Sequence, residues 1–407
     1  MIDHRRLGRE LELFATDPLA GAGLPIWLPA GAAARHAIEE YLRDLERRAG
    51  YQHVHTPPLG RRELFETSGH LGYFAAEMFP AMRLGESDDE LMLRPALCPH
   101  HALVYRARGR SYRDLPLRVA EIGGMYRAER SGVLGGLSRV RAITLNDAHN
   151  FCALEQVGQE VSEILRLIRA AHDALGVRPA GVRLSRRGPG EYVGDDADWA
   201  WAEELLRAAL DGEAYTEAPG EAAFYGPKID IQVVDAAGRE STISTVQLDF
   251  DKPERFDLSY TDPYGARRRP VMVHRSLVGS MERLFAYLIE VHQGAFPPWY
   301  APVQLVVLPV GGDQAGAATE LAGLAEAAGL RVEVQVSGSL GARIRDAAHR
   351  RAPYVGVVGP REAADGSVSL RLRDGRGLEP MPVPAAVALI AEVVAGRGHH
   401  LRPPSRR

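Results

Sequence analysis

The sequence has 407 residues, 45% hydrophobic and 25% charged, with 42 glycines and 27 prolines, a length of roughly two to three domains and a composition that excludes disorder and fibrous repeats. Its net charge of −4, from 49 Lys+Arg against 53 Asp+Glu, leaves no broad positive field for a polyanion, so a nucleic-acid partner would need a local patch. Two cysteines, Cys98 and Cys152, exclude a disulfide scaffold, and the lack of an apolar leader or of about 18 consecutive apolar residues points to a cytoplasmic chain without a membrane span.

The first long helix is predicted over residues 32–49. Ile38, Tyr41, Leu42 and Leu45 recur there every three to four residues, opposite Glu39, Glu40, Arg43 and Asp44, and Gly50 stops the run. A strand over 51–57 ends at Pro57-Pro58, which lack N–H donors. Strand-like runs follow at 91–93, 117–122 and 140–144, the last two joined by a hairpin loop over 128–136. A second amphipathic helix spans 154–175, with strands at 182–184, 229–234 and 244–250 and a helix at 281–292. Antiparallel strands between widely spaced helices predict an α+β domain over 1–298. Phe296-Pro297-Pro298-Trp299 marks its boundary. Beyond it, strands at 305–310, 332–336, 354–358 and 368–372 alternate with helices at 317–328, 342–350 and 386–394, predicting a small α/β domain over 299–396. The tail 397–407 reads as disordered.

One thiol and two imidazoles are the first candidates for chemistry: Cys98 beside Pro99 after a strand, His149 in Asn-Asp-Ala-His-Asn, and His274 at the end of Val271-Met272-Val273. This donor set suits zinc with one open position. Spacing alone builds no local metal motif, however, and any one of 14 histidines is ordinarily a packing residue. Arg127 with Glu129, then Arg139 and Arg141, flank the hairpin loop, and Arg283 opens a helix. Arginines so placed need an anion or a carboxylate, which suggests a polyphosphate, although a surface salt bridge would serve any one of them. No P-loop is present.

These residues fall within a wider pattern. Thr56-Pro57, Tyr126-Arg127-Ala128-Glu129 with Leu137-Ser138-Arg139-Val140-Arg141, and Gly279-Ser280-Met281-Glu282-Arg283 resemble the three class II motifs. Thr67-Ser68-Gly69-His70, Ser111-Tyr112-Arg113-Asp114-Leu115-Pro116-Leu117-Arg118, Phe224-Tyr225-Gly226-Pro227-Lys228-Ile229-Asp230 and Thr245-Val246-Gln247-Leu248-Asp249-Phe250 are similar to segments of the threonyl-tRNA synthetase family. The resemblance runs from Asp3 to about Val394. It implies a catalytic domain built on a six- or seven-stranded antiparallel sheet, followed by an anticodon-binding domain, in a homodimer that joins through the first motif. It implies threonine activation by ATP with magnesium, then transfer to tRNA. By motif match, Arg127 would hold the α-phosphate, Arg283 the adenine and γ-phosphate side, and Glu129 the adenine amino group, with Arg139, Ile143 and Gln247 completing the nucleotide site. Cys98, His149 and His274 become the zinc ligands. Asp147, Tyr225, Lys228, Thr245, Ala96 and Leu145 would line the amino-acid pocket, and His70 would lie near the terminal ribose of tRNA.

The match has gaps. Ala96-Leu97 stands where the family has Met-Asn, His100 replaces a glycine, Ile143 a phenylalanine and Leu145 a glutamine, and Thr242-Ile243-Ser244 occupies a Gln-Cys-Gly position. In the second domain Val334-Gln335-Val336-Ser337-Gly338-Ser339 replaces a charged stretch at the expected anticodon-facing edge, which puts anticodon reading in doubt. Nothing upstream of Asp3 resembles the N-terminal or editing domains of bacterial forms. A carrier protein or small amine is therefore an alternative acyl acceptor, and a non-catalytic regulatory homologue is a second alternative.

Overall fold

The computed structural model describes residues 3–189 and 192–402. The chain first forms a short helix, His4–Glu10, and then α1 (Pro29–Arg48), which buries Ile38, Tyr41 and Leu42. The central sheet is built from β1 (Gln52–His53), β2 (Leu117–Tyr126), β3 (Ala142–Cys152), β4 (Gly181–Arg186), β5 (Thr216–Pro219), β6 (Lys228–Val234), β7 (Glu240–Asp249) and β8 (Val271–Ser276). Their order is β5-β4-β6-β7-β8-β3-β2-β1. Pairing is antiparallel through the middle and parallel only at the two edges, β5 with β4 and β1 with β2. The sheet thus has eight strands rather than six or seven, because both short edges add to the antiparallel core.

Alternation along the strands sets the two faces. Val271 and Val273 of β8, Val246 and Leu248 of β7, and Ala148 and Cys152 of β3 join the core that α3 (Val157–Leu175) and α5 (Met281–Val291) pack against. Residues one position away, among them Met272, Phe151 and Val119, belong to the opposite face, where α2 (Cys98–Arg106) packs. α3 ends at Gly176, whose φ of 75° suits the left-handed cap that glycine adopts without strain.

Several expected elements change. The strand expected over 51–57 pairs only at Gln52–His53, since the Thr56 N–H turns to the Glu121 side chain and two prolines follow. The strand expected over 140–144 instead runs from Ala142 to Cys152 and carries His149 within it. Cys98 begins α2 rather than following a strand directly, and α4 (Asp196–Ala209), capped by the Asp195 side chain, was not expected.

The second domain has its own sheet and core. β9 (Leu305–Pro309), β10 (Val332–Val334), β11 (Tyr354–Val358), β12 (Ser367–Leu372) and β13 (Met381–Pro382) are ordered β10-β9-β11-β12-β13, parallel for the first three and antiparallel thereafter. α6 (Ala315–Ala327), α7 (Leu340–His349) and α8 (Val383–Ala395) cover it. At the junction the Arg331 guanidinium donates to the Trp299, Ala301 and Pro302 carbonyls, satisfying backbone acceptors that neither sheet uses. The tail expected to be disordered from 397 is instead placed against the protein as far as Arg402: Leu401 is buried and its carbonyl accepts from the Tyr354 hydroxyl. Positions 403–407 lie outside the described residues.

The Arg275 and Glu46 side chains are both fully buried, 2.8 Å apart, joining β8 to α1. Arg275 also lies over the Tyr51 ring at 4.4 Å, which offsets the two guanidinium nitrogens left without hydrogen-bond partners. Removing one member of such a pair strands the other charge. Glu46→Ala should therefore cost about 3–5 kcal/mol in urea unfolding of the first domain. Arg47→Ala, which breaks an exposed pair with Asp44, should cost less than about 1 kcal/mol.

Candidate active site and metal centre

The site is assembled by strand register. His149 of β3 pairs directly opposite His274 of β8, which pairs directly opposite Gln247 of β7. Three chemically active side chains therefore share one row on the face away from the large core. Two residues along each strand, on the same face, lie Asp147, Ser276 and Thr245. α2 lays Cys98 against this row, and the Cys98 Sγ, His149 and His274 ligand atoms all lie within 4.8 Å of one another, every one of the three residues buried.

All the site residues expected from the motif match line a single cavity of about 480 Å³, whereas Arg141 does not and instead donates to the Glu129 and Ala22 carbonyls. One end holds the Cys/His cluster, with Ala96, Leu145 and Asp147. Arg127, Glu129, Arg139, Ile143 and Arg283 line the cavity away from the cluster, Gln247 and Tyr225 stand beside His274, and Thr245 lies two residues along β7 toward Thr242, whose carbonyl Arg283 meets. The Tyr225 hydroxyl donates to Gln247 Oε1 at 2.5 Å, and its ring stacks on His274 at 5.1 Å. Gln247 Nε2 donates to Thr245 Oγ1, while Lys228 Nζ pairs with Asp230 at 2.8 Å. His70 is buried beside the cluster, its Nδ1 on Ser68 Oγ and its Nε2 3.8 Å from Cys98 Sγ.

Sequence reasoning missed the groups that orient the imidazoles. His274 Nε2 lies 2.7 Å from Asp249 Oδ2, which also meets Lys252 Nζ at 3.0 Å. Burial alone would raise Asp249, but Lys252 and His274 bring it down to about 2. An ionised Asp249 needs a donor, so the His274 proton is on Nε2 and its Nδ1 lone pair faces the cluster. On the other side His101 Nε2 lies 3.2 Å from Glu121 Oε2. Against the effect of burial, hydrogen bonds from His101 and Thr56 and the charge of Arg94 hold Glu121 at about 2. His101 therefore donates from Nε2, its Nδ1 accepts from His149 Nδ1 at 2.7 Å, and the His149 Nε2 lone pair also faces the cluster. His149 Nε2 and His274 Nδ1 are 2.9 Å apart, which sets two acceptors against each other. A shared cation resolves that opposition, and the carboxylate–imidazole arrangement is what ordinarily orients metal-bound histidines. Burial pushes the Cys98 thiol up to about 12; it is a cation that would hold the sulfur as thiolate. The donor set thus fits a metal. Two signals for the missed residues were present: His101 follows Cys98 by one helical turn, and Asp249 continues the alternation of Thr245 and Gln247.

Charge is asymmetric along the cavity. Burial raises the Asp147 carboxyl to about 7, with Arg275 opposing the shift and Glu121 adding to it, so a substrate cation would favour its ionised form. At the far end Arg283 donates to the Thr242 and Ser138 carbonyls. Its guanidinium is lowered by burial and by like charge from Arg127 and Arg139. Glu129 there is already paired with Arg139 at 2.9 Å, leaving an excess of positive charge suited to an anion.

Residues 81–292 match the family model of the tRNA synthetase class II core domain (G, H, P, S and T), and residues 304–393 match that of the anticodon binding domain. The chain is similar over 99% of its length, and 99% of the other, to the solved RNA-binding domain of threonyl-tRNA synthetase from Cryptosporidium parvum, at 35% identity and a TM-score of 0.90. It belongs to the threonyl-tRNA synthetase family. It is 46% identical over 403 residues to a threonine–tRNA ligase of Listeria welshimeri and 48% identical over 376 residues to threonine–tRNA ligase 1 of Bacillus subtilis. These alignments cover 96% and 91% of the chain but 62% and 58% of those relatives, so the chain spans less than two thirds of their length. Within this family frame Cys98, His149 and His274 form a candidate metal-binding cluster.

If His101 fixes the His149 tautomer, His101→Ala should weaken zinc binding about 10- to 100-fold in competition with a chelator, while Cys98→Ser should abolish stoichiometric retention. Zinc affinity unchanged in His101→Ala would contradict the proton assignment.

Proposed function

We propose that the chain activates threonine with ATP as an aminoacyl-adenylate and transfers it to tRNA. The observation that carries this reading is the single cavity with an imidazole–thiol cluster and a buried carboxylate at one end and unneutralised guanidiniums at the other. In this reading the amino acid lies at the cluster end, beside Tyr225 and Gln247, and ATP at the arginine end, with Thr245 between them. Zinc held by Cys98, His149 and His274 would supply Lewis-acid positions for the amino and hydroxyl groups of the substrate, which valine cannot satisfy.

The remaining roles belong to the chain's own side chains. Asp147, held near neutrality by burial, takes the substrate ammonium as its counter-charge. Arg127 and Arg283 offer paired donors to phosphate oxygens whose charge grows in the transition state, and both are set before reaction on the hairpin end and the start of α5. Glu129 accepts from the adenine amino group, Ile143 covers the adenine face, and Arg139 fixes Glu129. Gln247 and Thr245 contact the adenylate, and Lys228, paired with Asp230, lines the substrate pocket. Ala96 and Leu145 shape the side-chain end, and His70 stands by the acyl-transfer position. Magnesium with ATP and a homodimer joined through the first motif belong to the same reading. Both cysteines are free and buried, and no helix among the described residues is long and apolar enough to cross a membrane; a cytoplasmic location belongs to the same reading.

ATP–pyrophosphate exchange across the amino acids tests the reading. Threonine should give the highest rate and valine little. Serine keeps the hydroxyl and lacks one methyl, so its kcat/KM should fall within about 10- to 200-fold of threonine. Preference for a quite different amino acid would overturn the assignment of the pocket.

A second acceptor is favoured by one observation in the second domain. The edge at 334–337 presents Val336, 60% exposed, while Gln335 Nε2 is held by Glu333 and Asp346 and Arg343 NH1 by the Pro309 and Gln335 carbonyls. Few donors there remain free to read a base edge. Anticodon substitutions in threonine tRNA should therefore change kcat/KM by less than about tenfold. A loss of about a hundredfold would restore ordinary anticodon reading. Robust pyrophosphate exchange without tRNA charging would instead favour transfer to a carrier protein or small amine.

A further inference from the structure

A second group of buried titratable residues lies outside the cluster. Asp3, His4 and Glu290 bring ligand-type atoms within 4.8 Å of one another, but both ring nitrogens of His4 are already engaged by protein. Glu290 Oε1 accepts from the His4 backbone N–H at 3.2 Å and lies 2.8 Å from His4 Nδ1. On the opposite ring edge, Nε2 accepts from the Leu137 backbone N–H at 3.2 Å. That bond assigns the tautomer, with the proton on Nδ1 donated to Glu290 and the lone pair on Nε2 turned to the loop. His4, Leu137 and Glu290 are all buried. Glu290 Oε2 in turn accepts from the Ala236 N–H.

The loop closes tightly on this ring. Gly136 has φ of 55°, and a Cβ there would fall 2.4 Å from His4 Nε2 and 2.7 Å from Arg5 Cγ. Immediately after Leu137 come Ser138, whose carbonyl accepts from Arg283, and Arg139, which pairs with Glu129; all four of Glu129, Ser138, Arg139 and Arg283 line the cavity. A hydrogen bond donated by the loop to the N-terminal helix therefore ties down the segment that carries Ser138 and Arg139.

We propose that His4 is a positioning residue: braced by Glu290 on α5, it latches the loop at Leu137 and so holds Glu129 and Arg139 in the geometry that binds ATP. The ATP arm of this inference rests on the functional reading above; the loop arm does not.

Hydrogen exchange of peptides covering 130–141 and calorimetric titration with ATP and magnesium, both on the full chain, test it. His4→Ala should speed exchange around Leu137 and weaken ATP binding, each about tenfold, as expected when a buried N–H loses its acceptor. Exchange within α3 should not change. His4→Gln places an amide oxygen near the Nε2 position and should restore both readouts to within about threefold, whereas His4→Asn, which reaches only the Nδ1 position, should not. Gly136→Ala should reproduce the loss with His4 intact, and it takes over the test if His4→Ala does not fold. Unchanged loop exchange, equal rescue by Asn and Gln, faster exchange throughout the domain, or a loosened loop with undiminished ATP affinity would each overturn the proposal. A loosened loop in a chain whose wild type binds no ATP would support the latch and overturn the assignment of the arginine end instead.

Discussion

Everything at the candidate site depends on the register between β3, β8 and β7. A slip of one residue would turn His149, His274 and Gln247 into the helix-packed core and bring Ala148 or Val273 into the cavity. The register is held from the other face, where Val271, Val273, Val246 and Leu248 fill the space against α3 and α5. Hydrophobic packing on one side of the sheet thus determines which polar groups meet on the other, and most of the free energy comes from apolar burial rather than from the polar groups themselves.

The polar face is balanced by charge rather than by apolar area. Asp249 is neutralised by Lys252 and Glu121 by Arg94, so each imidazole leans on a carboxylate that is itself compensated. Glu121 also accepts from Thr56, so the segment before Pro57 is tied through Glu121 and His101 to His149. Asp147 is the exception. Among the described residues no Lys or Arg forms an ion pair with it, Arg275 acting only from a distance, and it lies across the ladder from Glu121, which is why burial lifts it so far and why it is suited to a positively charged ligand.

Much of this was legible in the sequence because the relevant residues sit in short runs with a strong local pattern. The helices 157–175 and 281–291 followed from apolar spacing, and the hairpin between β2 and β3 from its turn residues. The site residues were legible through motifs rather than through spacing, since His149 and His274 are 125 residues apart. Three things were not legible. The strand start at Ala142 hid the continuation to Cys152, because polar residues interrupt the apolar alternation on both faces: Asp147 and His149 line the cavity, while Asn146 and Asn150 bond Glu46 and Glu160 on the other side. Glu121 acts on His149 only through His101 and carries no signature of its own. His4 looked like one residue of a charged start, and its partners lie at 137 and 290.

That last separation bears on how the molecule comes into being. His4 and Glu290 are 286 residues apart, so the first helix leaves the ribosome long before its partner exists. At about 5–20 residues per second, the wait lasts tens of seconds. During it the His4 ring has no Glu290 carboxylate to brace it against the hairpin loop, and the faces later covered by α5 stay open. Contacts of such span are also slow to form by chain diffusion alone. The arginine end of the cavity is therefore among the last parts of the first domain to be completed during synthesis, after the strands that carry the imidazoles have been made.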